Sequence, residues 1–120
     1  MSSKRLLQIA EQIREIISMM IVRGEVADPR VRSVTVTSVK MTPDLQTARI
    51  YFSVMGDTTS RESAEKGLAK ASGFLRRSIG EALKLRYTPE LVFFFDESIE
   101  RAARIATLLT KIRLEDSEEN

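Results

Sequence analysis

Apolar residues in the first stretch of the chain recur at spacings of three and four: Leu6, Ile9, Ala10, Ile13, Ile16, Ile17 and Met20. That period predicts an amphipathic helix over residues 3–23. Ser2 or Ser3 supplies a cap and Gly24 a stop. A connection follows over residues 25–32, with Asp28-Pro29 as turn chemistry. Residues 33–42 are rich in Val and Thr, which suits a strand. Their alternation runs through Val34 and Val36, then changes phase to Val39 and Met41. Such a slip predicts a β-bulge. Thr42-Pro43-Asp44 reads as a turn with proline in its first central position. Residues 47–54 alternate cleanly, with Ala48, Ile50, Phe52 and Val54 on one face. The pair is predicted to form an antiparallel hairpin with one buried side.

Gly56-Asp57 ends the hairpin, and Thr59 followed by Glu62 fits a capping box for a helix starting near residue 60. Its apolar positions are Ala64, Leu68, Ala71, Leu75, Ile79, Ala82 and Leu83. Gly67, Gly73 and Gly80 interrupt that pattern, each at about 1 kcal/mol against Ala. Two helices meeting near Ser72-Gly73 are therefore expected. Thr88-Pro89 imposes an extended backbone. The continuous apolar run Leu91–Phe95 predicts a central strand covered on both faces. Residues 98–113 return to helical spacing through Ile99, Ala102, Ala106, Leu109 and Ile112. Three strands with one open face need helices on the other, so the class is α+β in two layers.

Composition narrows the chemistry. The 120 residues suffice for one core, and 42% hydrophobic with 30% charged is ordinary for a globular domain. The formal net charge is only +2. Four acids, however, crowd the end: Glu115, Asp116, Glu118 and Glu119. Without them 19 cations face 13 acids, so residues 1–114 read as one basic domain and 115–120 as a short acidic, disordered tail. There is no Cys, which removes thiolate catalysis, disulfides and Cys-based metal sites. There is no His, which removes imidazole acid–base chemistry and Ser-His triads. No run approaches the ~20 apolar residues of a membrane span, and the N-terminus lacks a secretory pattern. A cytoplasmic protein without cofactor, small-molecule substrate or membrane partner is expected. With no sustained heptad, a monomer is expected too.

Three clusters remain as candidates. Lys66, Lys70, Gly73, Arg77 and Lys84 are spaced four, three, four and seven apart, with Arg76 in the adjacent row. On a helix this stripe joins cations to a position without a side chain, which suits a phosphate backbone. A break at Gly73 would add the free N–H groups of a helix N-terminus. Residues 61–86 carry seven cations against three acids. The same pattern also describes an ordinary solvated face with glycines for close packing. Arg86-Tyr87 can stack on an unpaired base, or the Tyr can close the core with its hydroxyl in water. Asp96, Glu97 and Glu100 can hold Mg²⁺ or simply cap the last helix. Met19, Met20 and Met41 read as core or core edge.

Further residues carry a resemblance. Asp28-Pro29-Arg30, Val34 to Val39, Pro43-Asp44-Leu45 and Ala48 to Tyr51 resemble bacterial ribosome-binding factor A. So do Gly73-Phe74-Leu75-Arg76-Arg77, Leu85-Arg86-Tyr87-Thr88-Pro89-Glu90-Leu91, Phe93, Asp96-Glu97-Ser98-Ile99, Arg104-Ile105 and Leu108-Leu109, in one register over roughly residues 4–112. The resemblance implies a type II KH-like domain of order α-β-β-α-α-β plus a C-terminal helix. It implies a non-enzymatic factor that binds the small (30S) ribosomal subunit and 16S rRNA late in maturation. Such a factor supports processing of the precursor's 5′ end and is linked to growth in the cold. Where ordinary KH domains carry a Gly-x-x-Gly loop, this family has an Ala-x-Gly kink, here Ala71-Ser72-Gly73. The resemblance places Arg76 and Arg77 against RNA; the stripe adds Lys66, Lys70, Lys84 and Arg86. Many members carry a Gly just before the Arg-Ile of the last helix, where Ala102-Ala103 stand here. A protein-interaction module without RNA affinity is the alternative.

Overall fold

The computed structural model describes residues 3–119. The helix α1 spans Ser3–Val22, so a cap at Ser2 lies outside the described residues. It buries Ile9, Ala10, Ile13, Ile17 and Met20, as the period requires. Gly24, at φ +70°, ends it while Glu25 N–H bonds Met20 O. Met19, expected in the core or at its edge, is 45% exposed, because it lies about 100° around α1 from Met20, beyond the rim of the buried stripe. A short 3-10 turn, Pro29–Val31, is capped by Asp28 and buries Val31.

The strands β1 (Val34–Met41) and β2 (Thr47–Val54) pair antiparallel, and the register shifts between Val36 and Ser38. Thr37 is therefore the bulged residue that the phase slip announced. Leu45 N–H closes the turn onto Thr42 O. β3 (Glu90–Phe95) runs parallel to β2, giving the order β1-β2-β3. This corrects the expectation of a central, doubly covered β3. The central strand is β2, and β3 is an edge. Its Leu91, Phe93 and Phe95 face the core, while Val92 and Phe94 share the open side with Arg49 and Tyr51.

Two helices cover the closed side. The second, α2, runs unbroken over Thr58–Leu83 and buries Ala64, Gly67, Leu68, Ala71, Leu75 and Ile79 against the sheet. The expected pair of helices is thus one helix. Its cap is Asp57, whose carboxylate accepts the Ser60 N–H at 3.0 Å, rather than Thr59. The core joins α1, α2 and the inner sheet face around Phe52, Ile50, Ile13, Ile17, Leu68, Leu75 and Ile79. The last helix, α3 (Ser98–Glu119), is exposed at every residue through 117 and runs unbroken through Ala102-Ala103. The helical span includes the acidic residues Glu115 and Asp116. At about 1.5 Å per residue, α3 projects about 33 Å, and the molecule reaches 65 Å in its longest dimension. The α+β class and the KH-like layer arrangement hold, with α3 standing outside the packed body.

Candidate nucleic-acid interface

α2 presents the cationic stripe because its core positions fix its rotation. With Ala64, Leu68, Ala71, Leu75 and Ile79 turned inward, Lys66, Lys70, Gly73 and Arg77 fall on the opposite, exposed side. Among the described residues none of these three cations has a carboxylate within ion-pair reach. They form a ridge of positive charge about three turns long.

The structure divides the other expected contact residues. Ala71 packs at the edge of the core and borders the groove described below, while Ser72 is half-buried on the helix flank. No helix begins at Gly73, so the expected free N–H groups are absent there; they remain in the ladder of α2. Arg76 is exposed along its length, but its guanidinium is engaged. Nε donates to Pro89 O and Nη2 to Thr88 O, both at 3.0 Å. It ties α2 to the segment entering β3. Lys84 leaves the stripe, since it is the left-handed C-cap of α2 (φ 51°) and no longer helical. Arg86 lies in the following loop, 5.5 Å from the centre of the Tyr87 ring. Tyr87 itself is 76% exposed, which corrects the reading of a core-closing tyrosine. Arg61, counted among the seven cations, sits 4.2 Å over the Phe95 ring and pairs with Glu97.

A groove of about 660 Å³ flanks the ridge between α2 and residues 25–30. Lys70 and the 42% exposed Phe74 line one wall, and Pro29 and Arg30 the other. Arg30 and Phe74 were missed as site residues. Phe74, next to Gly73 in a helical pattern, was the available signal. Asp28 holds Arg30 in place through Oδ1 and Oδ2, the shortest contact being 2.6 Å. The Arg30 guanidinium first, and then the Arg30 N–H, pull the Asp28 carboxyl down to about 2. The groove therefore keeps a fixed polar rim at any neutral pH.

The third cluster resolves into a cap. Asp96 accepts from Ser98 N–H at 2.9 Å and from Thr37 Oγ1 at 2.6 Å. The bonds from Ser98 and Thr37 lower its carboxyl below the usual range. Among the described residues no group of three or more acids is arranged to hold a metal ion. No described helix is long and apolar enough to cross a membrane.

The family model described as "Ribosome-binding factor A" matches residues 5–109. A protein of that description from Geobacter sulfurreducens is 49% identical over 108 residues, covering 90% of this chain and 91% of the relative. A solution structure of a putative ribosome binding factor A from Thermotoga maritima superposes with TM-score 0.69 at 28% identity, over 83% of this chain and 94% of the other. A Thermus thermophilus ribosome binding factor A homology model, fitted into a cryo-EM map of a 30S complex, is similar at TM-score 0.62 and 22% identity. That comparison covers 77% of this chain and 96% of the other, and it speaks for the fold.

Proposed function

The chain belongs to the ribosome-binding factor A family, and from that premise we propose that it is an assembly factor of the small (30S) ribosomal subunit. It binds 16S rRNA late in maturation and supports processing of the precursor's 5′ end, acting by occupancy rather than catalysis. The observation that carries this reading is the α2 ridge, with Lys66, Lys70 and Arg77 turned away from the core and Gly73 between them. Lys and Arg side chains neutralise successive phosphates, and the bare backbone at Gly73 leaves clearance for the nucleic-acid chain. The flanking groove at Arg30 and Phe74 offers a second wall. Lys84 and Arg86 extend the charge past the end of α2. Ser72 and Arg76 border the ridge, the latter chiefly as a tether. Specificity then comes from the shape of folded rRNA rather than from base edges.

Co-sedimentation with purified small subunits, large subunits and whole ribosomes, at low and moderate salt, tests this. Selective travel with the small subunit is expected. Three phosphate contacts predict a slope of about −2 to −3 in log affinity against log salt. Equal binding to all three particles, or a slope near zero, refutes the proposal. Lys70→Glu with Arg77→Glu should abolish binding while the circular dichroism stays native; Arg76 is kept because it holds the Thr88-Pro89 carbonyls. The protein-interaction alternative is favoured by one observation, the exposed apolar row Ile105, Leu108, Leu109 and Ile112 on α3. It would be selected if that double variant still travelled with the small subunit.

A further inference from the structure

The open face of the sheet is not what a face meeting only water should be. An antiparallel hairpin with one buried side places polar residues outward. Here the outward row Ser38–Tyr51–Phe94 crosses all three strands and carries two aromatic rings. Their centroids are 5.5 Å apart and their planes 27° from parallel, a stacked pair. Phe94 is 41% exposed and Tyr51 half-exposed, and no described element covers them. A second anomaly lies one row along. Lys40 and Arg49 are directly opposed across β1 and β2, and both are exposed. Like charges facing across strands are destabilising, so a sheet that gained nothing from them would place an acid at one of the two. Lys40 Nζ already sits 5.5 Å from the Tyr51 ring centre. Glu90 and Asp96 lie on the rims of this face, but Asp96 is occupied by Ser98 and Thr37.

We infer that the open sheet face is a second RNA-binding surface, a stacking platform for one or two unpaired nucleotides. Tyr51 and Phe94 carry the bases, and Lys40 and Arg49 carry the adjoining phosphates. The chemistry fits a single strand and not a duplex. An aromatic face can stack only on a base whose own face is free, and stacking is tolerant of base identity. Successive outward rows are about 6.4–6.8 Å apart along a strand, so a base on the aromatic row sets its phosphate within reach of the cationic one. A hollow of about 260 Å³ bounded by Ser38, Lys40, Tyr51, Asp96 and Ser98 adjoins the ring pair and offers hydroxyls to the sugar. The α2 ridge lies on the other side of the molecule, with the core between them. The domain therefore has two RNA faces, one for folded backbone and one for an exposed single strand, and can hold two segments apart. This rests on the RNA-binding reading above for its ligand class alone.

The test is fluorescence anisotropy with a labelled single-stranded RNA of about eight nucleotides, and with the duplex made from it, alongside small-subunit co-sedimentation. Tyr51→Leu with Phe94→Leu keeps the face apolar and is checked for native circular dichroism. Single-strand affinity is expected to fall about 10- to 100-fold in this variant, while duplex affinity holds. Tyr51→Phe, which keeps the ring, should bind as the wild type does. Lys40→Glu, on an exposed side chain, should weaken single-strand binding and flatten its salt dependence. Unchanged single-strand affinity in the Leu pair overturns the inference, as does a Leu pair that loses duplex affinity to the same extent as single-strand affinity. If the Leu pair loses the small subunit but keeps the oligonucleotide, the face belongs to a ribosomal protein and the platform is wrong. Wild-type protein that fails to travel with the small subunit refutes the proposed function instead, whatever the oligonucleotide does.

Discussion

Three glycines lie inside α2, and their surroundings separate them. A Cβ at Gly80 would stand 2.6 Å from Thr88 Oγ1, and one at Gly67 would stand 3.1 Å from both Arg30 Cβ and Val31 Cγ1. One at Gly73 would meet nothing within 4 Å. Gly73 is therefore exposed mid-helix, with no packing contact to offset its entropic cost. Gly73→Ala should stabilise the domain by about 0.8–1.0 kcal/mol. Unfolding entropy of about 2.1 cal/mol/K per residue, over 120 residues, converts this to a Tm increase of about 3–4 °C. Thermal and urea unfolding followed by far-UV circular dichroism reads it directly. Gly67→Ala and Gly80→Ala should gain less or lose, because the 3-10 turn or Thr88 must move. Small-subunit affinity should change in the opposite sense, since the new methyl stands between Lys70 and Arg77 where the phosphate backbone approaches. A stability gain at Gly73 no larger than at Gly67 or Gly80 would refute the packing argument. A gain in stability with undiminished binding would remove Gly73 from the interface.

Arg76→Ala should cost about 1 kcal/mol in urea unfolding through two lost bonds to carbonyls of the β3 approach, and should disturb subunit binding less than Arg77→Ala does. Acid should destabilise the fold: Asp28, held down to about 2 by Arg30, together with the lowered Asp57 and Asp96, binds protons more weakly folded than unfolded. The stabilisation from these carboxyls is fully present above the unfolded value of about 3.9 and is lost as pH falls toward about 2. A Tm measured across that window should drop, and Asp28→Asn should make the drop shallower; a flat Tm would contradict the Arg30 contact. Amide hydrogen exchange should find α3 far less protected than β2 or α2, because, among the described residues, it has no packed face to add to its intrinsic helix propensity; protection of α3 equal to that of α2 would show that it packs somewhere.

Local chemistry was readable wherever one face of an element was buried. The α1 stripe, the Val36-to-Val39 phase slip, the Thr42-Pro43-Asp44 turn and the alternation of β2 each register a core on one side only. β3 failed for the converse reason. Leu91–Phe95 is apolar throughout, yet its outward Phe94 stacks on Tyr51 at an open face rather than meeting a covering layer. A continuous apolar run cannot distinguish a second core from a binding platform. α2 failed at Gly73 because a helix propensity penalty of about 1 kcal/mol is small beside the burial of Ala71, Leu75 and Ile79 on either side of that residue, which carries the helix through it. Gly67 is explained by a neighbour far away in sequence, Val31, which no local window contains, and Gly80 by Thr88, which the turn after α2 folds back against it. For the interface, spacing identified Lys66, Lys70 and Arg77 as one row. The engagement of Arg76 by the Thr88 and Pro89 carbonyls, and the left-handed turn at Lys84, depend on where the chain goes after α2.

The continuity of α2 also changes the physics expected of binding. Had the chain broken at Gly73, the unpaired N–H groups and dipole of a new helix would have attracted phosphate without any side chain. That contribution would survive removal of every lysine and arginine on the ridge. In the unbroken helix those N–H groups are committed to carbonyls four residues earlier, so the attraction on this face must come from Lys66, Lys70 and Arg77 and their neighbours in the loop. Affinity should then decline in steps as these charges are neutralised. Each replacement by Gln should reduce the salt slope by about 0.7–0.9. The triple variant Lys66→Gln, Lys70→Gln, Arg77→Gln should lose about 2.1–2.7 of the slope and keep only what Lys84 and Arg86 contribute from the loop. A slope undiminished in the triple variant, with duplex RNA as the probe so that the sheet face is silent, would mean that the backbone near Gly73 opens on binding and supplies the anion site itself.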